Sequence, residues 1–331
     1  MRDRAKEIVI DFILREPKHM PKSNDQNYRG RFAPSPTGPL HFGSLVAAVG
    51  SYLQAKSQHG EWLVRMEDLD TPRIVPGAAD DILRTLEAFG FVWDGEVIFQ
   101  SRRDEIYRAA LEQLTKQEAT FPCACSRKEI ADSSVIGIEG PVYPGTCRAG
   151  LAAGRNRRAI RVRVGDAKIE FTDLIQQSIE QNLGTEIGDF VLRRADGIVA
   201  YQLAVVVDDA AQGITEIIRG ADLLASTPRQ IFLQRRLGYA TPQYGHLPVA
   251  TNHAGEKLSK QTLAQGIDTK HATQQLFDAL RFLGQTPPAE LQQSSQKPLW
   301  DWALEHWSLQ KVPFANAIRY DETQPSASKL I

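Results

Sequence analysis

The stretch Arg29-Gly30-Arg31-Phe32-Ala33-Pro34-Ser35-Pro36-Thr37-Gly38-Pro39-Leu40-His41-Phe42-Gly43-Ser44 decides the fold class. Residues 29–32 read as a short strand. The prolines at 34, 36 and 39 exclude a helix across the next few residues. From Phe42 the pattern changes: Leu45, Val46, Val49 and Leu53 share one helical face, and Gly60 punctuates its end. Where a turn meets a helix start, free N–H groups and a positive dipole end stabilise phosphate. Gly43 has no side chain, so a flat base or ribose can approach the backbone closely. His41 can donate to a phosphate oxygen as charge builds in a transition state.

Working outward, Trp62–Met66 reads as a second buried strand. A helix over 78–89 places Ile82, Leu83, Leu86 and Phe89 on one face, with Gly90 as its stop. Another helix is expected from Ser101, with Asp104 in the Glu place of a capping box. Strand, helix, strand, helix at this spacing implies an α/β fold with a parallel sheet. After the cysteine segment, Ala159–Val164 alternates as a strand. Phe190–Arg193 and Ile198–Tyr201 flank Ala195-Asp196-Gly197, a hairpin signal. Thr227-Pro228 opens a helix that stops at Gly238. The tail from about Thr269 has helical stretches broken near 287–297.

The 331 residues are 42% hydrophobic and 24% charged, ordinary for a globular chain, and the formal net charge is -1. A neutral balance leaves nucleic-acid partners open, because only a local basic patch is needed to meet phosphates. No apolar run approaches the roughly 20 residues of a membrane helix. Ile8–Leu14 is short and interrupted by Asp11, so it fails as a signal-peptide core too. A cytoplasmic protein without a membrane partner is expected. Residues 1–27, polar and aperiodic, read as a flexible extension.

Two further constellations carry chemistry. Lys257-Leu258-Ser259-Lys260-Gln261 places two lysines in a loop bounded by Gly255 and Gly266. A cationic loop can close on a pyrophosphate leaving group and then open to release it. Cys123, Cys125 and Cys147 are the only cysteines. Three thiolates in a short segment suit tetrahedral zinc, and three free cysteines are the alternative. No histidine lies nearby; Tyr143 can supply a phenolate as fourth ligand, as can a water.

Taken together and in order, these motifs resemble the class I aminoacyl-tRNA synthetases. His41-Phe42-Gly43-Ser44 is similar to the His-Ile-Gly-His element, with Ser44 in place of the second histidine. Lys257-Leu258-Ser259-Lys260-Gln261 is similar to Lys-Met-Ser-Lys-Ser, with Leu258 and Gln261 as departures. Arg31 through Gly38, and Arg65-Met66-Glu67-Asp68-Leu69-Asp70-Thr71-Pro72-Arg73, resemble the glutamyl branch. The resemblance spans about Arg29 to Gln261, roughly two-thirds of the chain.

The resemblance implies a Rossmann-like catalytic domain that uses ATP with Mg²⁺. His41, Gly43, Lys257, Ser259 and Lys260 would be catalytic, with His41, Gly43 and Lys260 on ATP. Arg31, Ser35, Glu67, Tyr201 and Arg219 match the family's amino-acid pocket. Their chemistry suits L-glutamate: guanidinium groups grip carboxylates, Glu67 holds the ammonium, and hydroxyls complete the hydrogen bonds. In glutamyl-family enzymes the zinc, here on Cys123, Cys125, Tyr143 and Cys147, is structural. The implied division is 28–120 and 191–268 as halves of the catalytic domain, 121–190 as an inserted zinc module, and 269–331 as a helical tail.

Only 71 residues follow Lys260 (331 minus 260), too few for the helical anticodon-binding region of a glutamyl-tRNA synthetase. Arg219-Gly220-Ala221-Asp222-Leu223-Leu224 departs from the Arg-Gly-Glu-Asp-His form of the full-length enzymes. Asp208-Asp209-Ala210-Ala211 also lacks the histidine common after that pair. Both features resemble the short glutamyl-Q branch. It forms glutamyl-adenylate without RNA and passes glutamate to queuosine at the wobble position of tRNA(Asp). A monomer is expected. A truncated glutamyl-tRNA synthetase, or a non-catalytic RNA-binding paralogue, is the alternative.

Overall fold

The structure is a computed structural model that describes residues 28–258 and 265–320. β1 (Arg29–Phe32), β2 (Glu61–Met66) and β3 (Ile98–Phe99) form a parallel sheet in that order. The proline turn after β1 leads into α1 (Phe42–Ser57), whose N-cap is His41; its Nδ1 accepts a hydrogen bond from the Ser44 N–H at 3.3 Å. The α1 face read from sequence, Leu45, Val46, Val49 and Leu53, is buried. Gly50 lets α1 pack closely on the second half of the sheet: a Cβ there would lie 2.5 Å from the Leu247 Cδ1 methyl, which would have to move.

α2 (Ala78–Ala88) buries Ile82 and Leu86, and Gly90 takes φ +80° just past its end. α3 (Asp104–Lys116) corrects one expectation. A 3₁₀ turn occupies 100–102 and Arg103 is the N-cap. Ser101 lies inside that turn rather than at the helix start, and its N–H, which a capping box would give to Asp104, donates to Asp68 at 2.8 Å.

The middle of the chain runs through β4 (Thr120–Cys123), α4 (Arg127–Ser133), β5 (Ile136–Gly137), β6 (Gly140–Pro141), β7 (Ala159–Val162), β8 (Lys168–Asp173), β9 (Gln177–Asn182), α5 (Leu183–Glu186) and β10 (Val191–Arg193). β10, β7 and β4 make an antiparallel sheet, and β8–β9 is a hairpin. The turn at Asp196-Gly197 returns through a single bridge, Arg193 to Val199. The expected second strand through Tyr201 is not formed, because Tyr201 begins α6 (Tyr201–Ala211). Residues 203–207 are apolar and all buried. A helix enclosed on every side accommodates such a run.

β11 (Glu216–Gly220), α7 (Thr227–Leu237), β12 (Gln243–Leu247) and β13 (Val249–Thr251) complete the α/β pattern; α8 (Ala272–Phe282), α9 (Gln296–His306) and β14 (Ala317–Arg319) follow. As expected, Pro228 stands in the first turn of α7 and Gly238 closes it at φ +74°. β11 and β12 are parallel, and β8 joins the far edge of β12, with Asp173 opposite Tyr244. The Thr215 N–H donates to Arg29 O at 2.9 Å, which sets the start of β11 beside β1. Strand order therefore reverses between β1 and β11. In open α/β sheets ligands bind at such a switch point, beyond the strand carboxyl ends.

Two large apolar clusters flank this frame. One packs α1, α2, α8 and α9 around β1 and β2; the other packs α3, α6 and α7 against the second half. No helix among the described residues is long and apolar enough to cross a membrane.

Candidate active site

A cleft of about 700 Å³ opens at the switch point. It brings together Arg31, Ser35, His41, Gly43, Glu67, Tyr201, Arg219 and Lys257, every site residue expected from sequence that lies within the described segments and outside the cysteine cluster. Ser259 and Lys260, with Gln261, lie outside the described residues.

Each side chain is delivered by an element end. Arg31 projects from β1, and Glu67 follows β2 directly. The Glu67 N–H donates to Pro34 O at 3.0 Å, which ties the end of β2 to the proline turn and to Ser35 beside it. Tyr201 starts α6, and Arg219 is the last residue but one of β11. Gly43 lies under the lysine hairpin: a Cβ there would come 3.2 Å from the His41 ring and 3.4 Å from Leu258 O. That hairpin is anchored on both sides. The Leu258 N–H donates to Ala250 O at 2.8 Å, and Lys257 Nζ lies 2.5 Å from Asp222 Oδ2. Leu258 is itself buried.

Behind the cleft is a charge network that sequence reading did not assign. Asp209 Oδ1 lies 3.2 Å from Arg31 Nε and 2.8 Å from Arg65 Nη2. Burial alone would raise the Asp209 carboxyl; Arg31 and Arg65 more than offset it and hold it below the usual range. Asp208 accepts from Gln100, Arg103 and Tyr107 at 2.7–2.8 Å. Burial pushes Glu67 up to about 7, against the pull of Arg65 and Arg31. The Tyr201 hydroxyl is raised by burial and then by the nearby Glu67 charge. The available signal for the network was a pair of acids, Asp208-Asp209, directly after a fully apolar helical run. Paired carboxylates there need buried cations.

A second cluster lies in the middle of the chain. The sulfurs of Cys123, Cys125 and Cys147 are all within 4.8 Å of one another, with Cys125 and Cys147 at 3.6 Å. The Tyr143 oxygen is 3.5 Å from Cys123 Sγ and 3.9 Å from Cys125 Sγ. Tetrahedral zinc with Zn–S of about 2.3 Å sets neighbouring sulfurs about 3.8 Å apart. The donor set and its spacing fit such an ion. The Arg161 guanidinium covers the Tyr143 ring at 4.0 Å, and the Cys147 N–H donates to the Tyr143 oxygen at 2.9 Å.

A cleft at the strand-order reversal, lined by a helix N-terminus, a cationic hairpin and buried arginines, fits an α/β enzyme of the class I synthetase type. The family model for the catalytic domain of class I tRNA synthetases (E and Q) matches residues 27–293. The chain is 64% identical over 288 residues to a glutamyl-Q tRNA(Asp) synthetase of Dechloromonas aromatica, covering 86% of this chain and 96% of that one. It is 61% identical over 286 residues to a glutamyl-Q tRNA(Asp) synthetase of Chromobacterium violaceum, covering 86% and 95%. The crystal structure of a glutamate-tRNA synthetase from Elizabethkingia anophelis superposes with a TM-score of 0.75 at 27% identity, over 91% of this chain and 69% of that one. The chain belongs to the class I tRNA synthetases (E and Q), on the branch of the glutamyl-Q tRNA(Asp) synthetases.

Proposed function

We propose that the chain activates L-glutamate with ATP, without RNA, and then transfers the glutamyl group to queuosine at the wobble position of tRNA(Asp). The observation that carries the first half is the single cleft holding Arg31, Arg219 and Glu67, which complements the two carboxylates and one ammonium of glutamate. The two curated relatives, both glutamyl-Q tRNA(Asp) synthetases, support the acceptor.

Arg31 and Arg219 hold the carboxylates, Glu67 the ammonium, and Ser35 and Tyr201 the remaining hydrogen bonds. The α-carboxylate attacks the α-phosphorus of ATP, giving glutamyl-adenylate and pyrophosphate. His41 and the N-terminus of α1 meet the phosphates, Gly43 admits the nucleoside, and Lys257 and Lys260 neutralise the leaving group, with Ser259 between them. Mg²⁺ accompanying the nucleotide lowers the charge repulsion of that step. A hydroxyl of the queuosine cyclopentene ring then attacks the activated carbonyl and releases AMP. No side-chain nucleophile is needed. Glutamate-dependent ATP–pyrophosphate exchange in the absence of RNA tests this directly. Equal exchange with aspartate or glutamine, or exchange only with tRNA present, contradicts it.

Glu67 binds an ammonium only as a carboxylate. Its protonation near 7 therefore removes binding as pH falls, and the free enzyme reports this in kcat/KM. The expected result is a kcat/KM for glutamate that declines as pH drops below about 7, with that limb absent in Glu67→Gln. An unchanged profile in the variant takes Glu67 out of this role.

The same reading treats 121–190 as the inserted module, braced by one structural zinc on Cys123, Cys125, Tyr143 and Cys147. These four close the tetrahedral count and leave no position for a reactive water. Metal analysis should find about one zinc per chain. Cys125→Ser should impair transfer to RNA more than adenylate formation, because the cluster lies on β4 and its neighbours, apart from the cleft. A stoichiometry near zero means a reduced cysteine cluster only.

A further inference from the structure

Three guanidinium groups are buried around the cleft, on Arg31, Arg65 and Arg219. The first two share the Asp209 carboxylate. Among the described residues Arg219 has no carboxylate within ion-pair distance, and each of its hydrogen-bond partners is neutral. Nε donates to His246 Nε2 at 3.1 Å; one Nη donates to Thr227 Oγ1 at 2.7 Å and to Gln230 Oε1 at 2.8 Å. The other nitrogen, Nη1, is buried without a protein partner. A buried guanidinium is unfavourable without a counter-charge, so an orphaned donor beside an open cleft marks the place for one.

The neutrality of this shell is built in. His246 Nδ1 meets Asp173 Oδ2 at 2.6 Å. A hydrogen on Nδ1 satisfies that contact and leaves Nε2 as an acceptor for Arg219. Burial lowers the imidazole to about 4, aided by the Arg219 charge and opposed by Asp173, so it stays uncharged at neutral pH. Asp173 is itself fixed, its Oδ1 accepting from the N–H groups of Ile175, Gln176 and His246.

We propose that His246, Thr227 and Gln230 form a specificity device: they orient Arg219 while leaving its charge uncompensated, so that a carboxylate of the amino acid is the first full negative charge it meets. Asp173, on β8, acts at one remove by setting the His246 tautomer. These four are positioning residues. Neutral acceptors aim the guanidinium without competing for it, whereas an acidic residue among them would pair with Arg219 in the empty cleft. The inference rests on the reading of Arg219 as a carboxylate-binding residue for glutamate.

The isosteric variant Gln230→Glu tests it in the full chain by ATP–pyrophosphate exchange. A carboxylate at that position should raise the KM for glutamate by about 10- to 100-fold, the scale of one charge-assisted contact, while the KM for ATP stays within about threefold. Gln230→Met, which removes the acceptor without adding charge, should raise it by less than about tenfold. In a second pair, His246→Gln supplies a neutral acceptor and should retain glutamate affinity better than His246→Leu, which supplies none. Equal glutamate KM values for Gln230→Glu and Gln230→Met, or for His246→Gln and His246→Leu, overturn the proposal. Arg219→Ala separates the two levels. If it leaves the glutamate KM unchanged, the underlying reading of Arg219 fails; if it raises that KM and Gln230→Glu does not, only the neutral-shell inference fails.

Discussion

Arg219→Ala is expected to raise the KM for glutamate by on the order of 100- to 1,000-fold, the scale of breaking a buried charge pair. Arg219 is the buried cation of the cleft whose Nη1 has no protein partner and whose other contacts are uncharged. The variant also loses the hydrogen bonds to His246, Thr227 and Gln230, so its folding is checked alongside, and the KM for glutamate reads the contact expected of Nη1. The KM for ATP should move little, because the α1 N-terminus and the lysine hairpin remain. Glutamate titration of the exchange rate at saturating ATP reads the effect. A variant with an ordinary glutamate KM removes Arg219 from substrate binding.

Lys260→Ala is expected to act on the other kinetic constant. A cation that meets charge only as pyrophosphate leaves lowers kcat with little change in the KM for glutamate. Loss of one such contact is worth about 2.7–4 kcal/mol, on the order of 100- to 1,000-fold in rate. Single-turnover adenylate formation gives the rate directly. Near wild-type formation excludes Lys260 from the step. The opposite split between the two variants, KM for Arg219 and kcat for Lys260, distinguishes amino-acid binding from leaving-group stabilisation.

The parts of this site that were legible in the sequence are those carried by local chemistry. Prolines 34, 36 and 39 and the helical face from Leu45 specify strand, turn and helix within a few residues, and the structure places His41 at the cap that this order demands. Gly90 and Gly238 end their helices with positive φ as expected. Arg31, Glu67, Tyr201 and Arg219 were found through motif resemblance, since no periodicity joins residues so far apart, and the sheet brings them to one cleft.

What escaped sequence reading is what only the sheet assembles. Asp173 reaches His246 because β8 leaves the middle segment to join β12. Nothing local to residue 173 announces that neighbour. Arg65 and Asp209 form a buried pair across the two halves of the fold. The Ser101 capping expectation failed for a related reason: a competing acceptor, Asp68, arrives from another element. The hairpin expected over 190–201 forms its turn and one bridge but not a full returning strand, because a turn signal does not specify how long that strand runs. Buried packing of 203–207 set that limit.

The central claim is that glutamate, once activated, goes to queuosine. Its most direct measurement is transfer of labelled glutamate by the purified chain to tRNA(Asp) with queuosine, to tRNA(Asp) lacking it, and to tRNA(Glu), followed by nuclease digestion to locate the label. The expected result is label on the anticodon nucleotide of queuosine-bearing tRNA(Asp) alone. Label on the terminal adenosine of tRNA(Glu), or equal labelling of tRNA(Asp) with and without queuosine, would contradict the account.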